Sequence, residues 1–374
     1  MRRRFLLTLL LLTLLCGSSF AATSYPPPPP IDWEAEALGV DELEAAVPDG
    51  ARDLLEGADL GLGTSFDAGL RRILQNALDQ LGGAFRQAAR SAATVLVIAL
   101  LVGLVGSMYE GSGGGTPEFV PLLGVLAVAG VAVGTSGAFI GLGADTLRQL
   151  EEFSKSLFPA MAAAGAAGGA LTSAAVKYAG TVLFLDILIT LTGRVIMPLI
   201  YAYIAASIGS AALGGEGLKG AANLLKWITG VLITTLMIAF VGYLTVTGVV
   251  SGSADVLTTR VAKTTISTVL PVVGGIVADA AETVLAGAML VRNGIGVIGL
   301  LVVLAVCLLP ILQLGAHYLM FKAAAGLSGA VTDKRVGGLI GDLGTAFGMV
   351  MGLTGAGAMM IFFSIISMMR MVIR

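Results

Sequence analysis

Stretches of about twenty residues without a charged side chain recur along this chain, and nothing else in it limits the fold as strongly. Trp227 to Val250 and Ala346 to Met369 are two of them. Inside a bilayer every backbone N–H and C=O must find its partner within the segment, so such stretches cross as helices. The chain therefore reads as an all-α, polytopic helical membrane protein. Its 374 residues are 56% hydrophobic and 12% charged, whereas soluble domains run near a quarter charged. A net charge of -2 supplies no basic surface for a phosphate backbone, which excludes nucleic acid as a partner and leaves membrane lipid as the surrounding one.

The inventory of reactive side chains is short. His317 is the one histidine, and the two cysteines are Cys16, in the leader, and Cys307, in an apolar run. That leaves no pair for a disulfide or a thiolate metal site once the leader is removed. There is no phosphate loop, dinucleotide fingerprint, zinc-protease pair or nucleophile elbow. The expectation is a protein that is not an enzyme and uses no cofactor or metal. Conduit, transporter and membrane assembly subunit remain.

Residues 1–21 read as a signal peptide, with Arg2, Arg3 and Arg4, an apolar run from Phe5 to Leu15, and small residues at Ser19 and Ala21. Bulky Leu15 before Cys16 argues against a lipoprotein. Cleavage after Ala21 places residues 22–91 outside the cytoplasm as a small exported helical segment. It opens with the stiff spacer Pro26 to Pro30 and continues as an acidic stretch over residues 32–59. Asp41 and Glu44 resemble a capping box opening a short helix. From Phe66 to Leu81, apolar Leu70, Ile73, Leu74, Ala77, Leu78 and Leu81 recur at helical spacing, with Arg71, Arg72, Gln75, Asn76 and Asp79 opposite. That face packs against its short neighbour or the membrane surface, or it docks a partner.

Residues 92–374 form the membrane domain, with spans expected at 92–108, 119–140, 173–193, 195–213, 227–250, 270–291, 294–314 and 346–369. Pro198 follows Pro159 by the same 39 residues that separate Pro310 from Pro271. This marks a candidate internal repeat of about 112 residues, 145–256 and 257–374, against the plainer reading that prolines mark helix ends. With three crossings per unit the halves would be inverted.

Ionisable residues within spans are candidate functional positions, because each costs roughly 2.5 to 3.5 kcal/mol at mid-bilayer. Asp279 and Glu282, three apart, share a helix face just after Pro271, Gly274 and Gly275, the residues of a broken or re-entrant helix. They line a polar pathway, form an ion or proton site, contact another membrane subunit, or lie hydrated at the interface. Asp186 and Arg194 are two turns apart and are expected to pair with another helix. Arg292 and Asn293 fall at a boundary between spans, where Arg292 snorkels. His317, one turn after Gln313, senses pH or sits at the interface.

The run Pro271-Val-Val-Gly-Gly-Ile-Val-Ala-Asp279-Ala-Ala-Glu-Thr-Val284, followed by Leu290-Val-Arg-Asn293-Gly-Ile-Gly296 and Pro310, resembles the stage III sporulation protein AE family. The leader, the acidic external segment and the late Phe362-Phe363 extend the resemblance over nearly the whole chain. The resemblance implies a multi-pass subunit of the channel complex joining mother cell and forespore, seated in the mother-cell membrane around the forespore and needed for late forespore gene expression. It implies other membrane subunits as partners, including an ATPase-like sister and a forespore membrane protein. The competing reading is a stand-alone secondary transporter with inverted repeats.

Overall fold

A computed structural model describes residues 43, 45–56, 65–111, 117–269 and 274–370, with side-chain surroundings for all of these except 110, 111, 136 and 248–286. The expected signal peptide, the proline spacer, Asp41, Glu44 and Pro271 lie outside the described residues. The helices, in order, are α1 (Asp49–Leu55), α2 (Phe66–Gly111), α3 (Phe119–Ala167), α4 (Leu171–Leu191), α5 (Met197–Leu213), α6 (Glu216–Val269), α7 (Gly274–Ser328) and α8 (Lys334–Met369). A π-helical turn, Thr192–Ile196, joins α4 to α5. Among the described residues six helices are long and apolar enough to cross a membrane, with α4 and α5 taken as one.

Three expected boundaries are absent. α2 runs unbroken through residue 92, so the second external helix and the first span are one element of 46 residues. Its contact stripe explains why: Ile73, Ala77, Ala84, Ala88, Ala92, Val95 and Ala99 are all buried at spacings of three, four and seven residues, one continuous seam. The expected spans 173–193 and 195–213 are likewise one rod. Pro198 has no N–H for its helix, and the π turn just before it absorbs the defect without a break. α7 continues straight through Arg292 and Asn293, with Pro310 inside it.

α7 and α8 form the central antiparallel hairpin. A Cβ on Gly344 would stand 3.3 Å from Phe321, and Gly299 faces Ile365 at 3.4 Å. α2 runs parallel to α7, with Gly69 against Leu301 and Gly103 against Val331. α3 runs parallel to α8, from Gly124 beside Val336 to Leu147 beside Gly357. The α4–α5 rod lies antiparallel to α8: Thr181 Oγ1 donates to Ser364 Oγ at 3.1 Å, and Tyr203 reaches Asp342. α6 doubles back along the rod, with Phe184 edge-on to Phe240 at 5.5 Å and the Tyr243 hydroxyl donating to the Val176 carbonyl at 2.6 Å. The α5–α6 turn is made at Gly214, whose φ of 66° suits glycine.

The rod and α7 both oppose α8, so the two hairpins, α4–α5 with α6 and α7 with α8, run the same way. Inversion, as expected for three crossings per unit, is not their relation. A single residue fixes the common height of several helices. A Cβ on Gly357 of α8 would collide with Leu147 of α3 and stand 3.3 Å from Leu188 of α4.

Candidate functional site

α7 has no Asp, Glu, Lys or Arg between Arg292 and Lys322, and α8 has none between Asp342 and Arg370. Basic side chains clasp the hairpin at both ends of this charge-free layer. At one end Lys322 Nζ donates to the Gly341 carbonyl at 2.6 Å and to Thr345 Oγ1 at 2.7 Å, while the buried Tyr203 hydroxyl donates to Asp342 Oδ1 at 3.2 Å. At the other end Lys177 Nζ of α4 donates to the Ser367 carbonyl at 2.5 Å, and Arg292 Nη2 of α7 to the Met369 carbonyl at 3.2 Å. Those carbonyls belong to the last turn of α8, which has no intrahelical donors for them, and the helix dipole is negative there. From Arg292 to Lys322 the helix rises about 45 Å, enough to cross the roughly 30 Å hydrocarbon with its two ends in the interfaces.

One expectation changes here. Arg292 does not snorkel from a helix boundary; it is mid-helix, 3% exposed, and turned onto the end of α8. His317, expected as a pH sensor or an interfacial residue, is enclosed by protein. It is buried, its Nδ1 is 2.9 Å from the Gln313 carbonyl, and its ring centroid lies 3.9 Å from Phe139 and 5.5 Å from Phe347. An N–H at Nδ1 serves that helical carbonyl, and the aromatic rings hold the imidazole in place.

The outer surface is divided. On α3, Asp145, Arg148, Glu152 and Lys155 are exposed along one face, with Arg148 paired to Asp145 at 3.1 Å and Lys155 to Glu151 at 2.9 Å. α1 packs beside this stripe, Gly50 lying against Gln149. α2 adds Asp67 and Arg71, paired at 3.0 Å and both largely exposed. A groove between α1 and α2 is lined by Asp53, Glu56, Arg72, Asn76, Asp79 and Gln80. At the same Gly357 height the other side of the molecule exposes Leu183 (57%) and Ile187 on α4 and Ile238 (68%) on α6. Leu74 and Leu78 of α2 are exposed apolar exceptions on the charged flank, and Asp186 of α4 is the charged exception on the apolar one. Surface ion pairs return under about 1 kcal/mol each, far less than roughly 2.5 to 3.5 kcal/mol per charge at mid-bilayer. Lipid is therefore a poor solvent for the α3 stripe.

The helix opening at Phe66 meets its short neighbour through its polar side, Asn76 Nδ2 donating to the Leu54 carbonyl at 3.0 Å, while Ile73 and Ala77 are buried and Gly69 lies against Leu301 of α7. Asp186, Arg194 and Asn293 are exposed on their helices. Gly274 and Gly275 open α7, and Asp279 and Glu282 lie in its first turns, but their side-chain surroundings are outside the described residues. Sequence reasoning missed Lys322, Tyr203 and Asp342, whose pairings depend on which helices meet. It also passed over the α3 stripe, whose signal was legible as charges spaced three, four and three residues apart between two apolar runs. Among the described residues no group of three or more His, Cys, Asp or Glu side chains is placed to hold a metal ion.

A bundle of long apolar helices, clasped by basic residues at both ends of a charge-free layer, defines a multi-pass helical membrane protein. The sequence model of the stage III sporulation protein AE family matches residues 62–371, and the chain belongs to that family of membrane proteins of sporulation. It is similar to the stage III sporulation protein AE of Bacillus subtilis (strain 168), 25% identical over 188 residues that make up 50% of this chain and 47% of the relative. The match thus spans about half the length of that curated relative. No solved structure matches the chain.

Proposed function

We propose that this protein is a multi-pass subunit of the channel complex linking mother cell and forespore, seated in the mother-cell membrane around the forespore and needed for late forespore gene expression. The observation that carries this reading is the family match over residues 62–371. The divided surface supports it, because a chain with charges at bilayer depth on one flank calls for neighbours that the chain itself does not supply. Its partners in this reading are the other membrane subunits, including an ATPase-like sister and a forespore membrane protein. Residues 22–91 follow the leader to the outer side, and from α1 onward they fold back against the bundle, Gly69 lying on Leu301 of α7. Asp279 and Glu282, with Asp186 and Arg194, are the intramembrane polar positions that meet those partners.

The stand-alone transporter drew its support from inverted halves. The two hairpins run the same way, which removes that motive. Affinity capture of the full chain from sporulating cells tests the proposal: the other channel subunits should come with it. Capture of the chain alone, with substrate uptake by the chain alone in a heterologous membrane, would overturn the channel reading in favour of the transporter.

A further inference from the structure

At the height of Gly357 the molecule has two sides that no single solvent suits. Leu147 and Leu188 converge on that glycine from α3 and α4, so the residues beside them lie in one layer. Beside Leu147 the surface carries Asp145 and Arg148; beside Leu188 it carries Ile187 with the single charge of Asp186 and, through the Phe184–Phe240 contact, Ile238 of α6. The charges are not paired across helices. Asp145 with Arg148, and Glu151 with Lys155, are partners within α3 and remain open to the outside. Behind them Leu301, Val303 and Val306 of α7 are buried, so the charged helices screen the apolar centre of the hairpin from whatever lies beyond.

We propose that the flank made by α1, the first half of α2 and the middle of α3 faces an enclosed, water-filled passage at the depth where the outer face of α6 around Ile238 faces lipid. The chain is then one segment of a wall. Water accommodates both charge signs without fixed partners, and the stripe alternates sign along its length, Asp145, Arg148, Glu152, Lys155. Such a wall passes hydrated solutes without sorting them strongly by charge. The assignment deepens the channel reading and rests on it for the neighbours that close the passage. The competing arrangement follows from the tip where α2 ends and α3 begins, which exposes Leu104, Met108, Phe119 and Leu123 beside Val331 and Val336. A bilayer slanted toward that tip would leave the charged flank in open water instead.

Cysteine labelling in membranes of sporulating cells separates these cases. In a Cys307→Ala background, Arg148→Cys and Ile238→Cys are treated with a small membrane-impermeant thiol reagent and, separately, with a polymer-linked maleimide. Thiol reactivity follows solvent access, so position 148 should react with the small reagent about tenfold faster than position 238, and about tenfold slower with the polymer than with a small maleimide. Both side chains are exposed in the fold, and Glu152→Cys repeats the first position should Arg148→Cys fail to accumulate. Equal rates at 148 and 238 overturn the divided solvent. Equal access of small and polymer reagents to 148 overturns the enclosure and selects the open, slanted arrangement. Co-capture of partners together with an unreactive position 148 sinks the wall assignment alone; capture of the chain without partners sinks the channel reading itself.

Discussion

The α3 stripe and the outer face of α6 sit at one height and obey opposite rules. α3 exposes Asp145, Arg148, Glu152 and Lys155; α6 exposes Trp227, Val231, Ile238 and Val241. Both belong to helices that pass for membrane spans by length and mean hydropathy. Averaging over a window therefore conceals the distinction that matters. A helix of 49 residues such as α3 rises about 73 Å, more than twice the hydrocarbon thickness, and only part of it needs to be apolar on the outside. Its first half carries the apolar run that raises the mean; its middle is held in place by burying Leu147, Leu150 and Phe153 while its outer face stays polar.

The largest expected effect comes from making the apolar flank resemble the charged one. Ile238→Arg should cost roughly 3 kcal/mol of insertion, read as a several-fold loss of membrane-inserted protein, whereas Arg148→Ala should fall within about 0.5 kcal/mol of the parent. Equal losses for both would erase the comparison. Next is the layer where the flanks meet. Gly357→Leu drives a side chain into Leu147 and Leu188, and overpacking of this kind costs about 1 to 3 kcal/mol, seen as a lower midpoint of thermal unfolding in a mild detergent. Lys177→Met removes the ammonium that serves the Ser367 carbonyl. A charge-assisted bond of this sort contributes about 1.5 kcal/mol or more, so α4 should loosen from α8, with faster hydrogen exchange over residues 364–369. Smallest is Glu151→Gln, which opens the pair with Lys155. At an exposed site it should cost less than about 0.5 kcal/mol and lose even that at high salt.

Helical class and membrane character were legible because charge-free runs leave no other solution in lipid. Span boundaries were not. Polar residues inside a hydropathy profile look like ends, so Arg292 and Asn293 read as a break, yet α7 passes through them because the end of α8 supplies carbonyls for Arg292. Likewise a boundary was expected between 193 and 195, whereas the π turn before Pro198 joins α4 to α5 as one rod. The seam of α2 was half legible. Ile73 and Ala77 were foreseen as buried, but Leu74 and Leu78 turned out exposed, since the close approach of α7 at Gly69 favours the small residues of the stripe over the larger ones. Partners such as Lys322 with Gly341, or Tyr203 with Asp342, lie on different helices, and no spacing within one helix announces them.

The most direct test of the account is the solvent at one height on two sides. Nitroxide labels at 148 and 238, read by electron paramagnetic resonance in reconstituted bilayers or isolated sporangial membranes, report collision with lipid-soluble oxygen and with a water-soluble nickel complex. The account predicts opposite preferences: the nickel complex reaches 148 and oxygen dominates at 238. The same preference at both positions, whether for oxygen or for nickel, would contradict it.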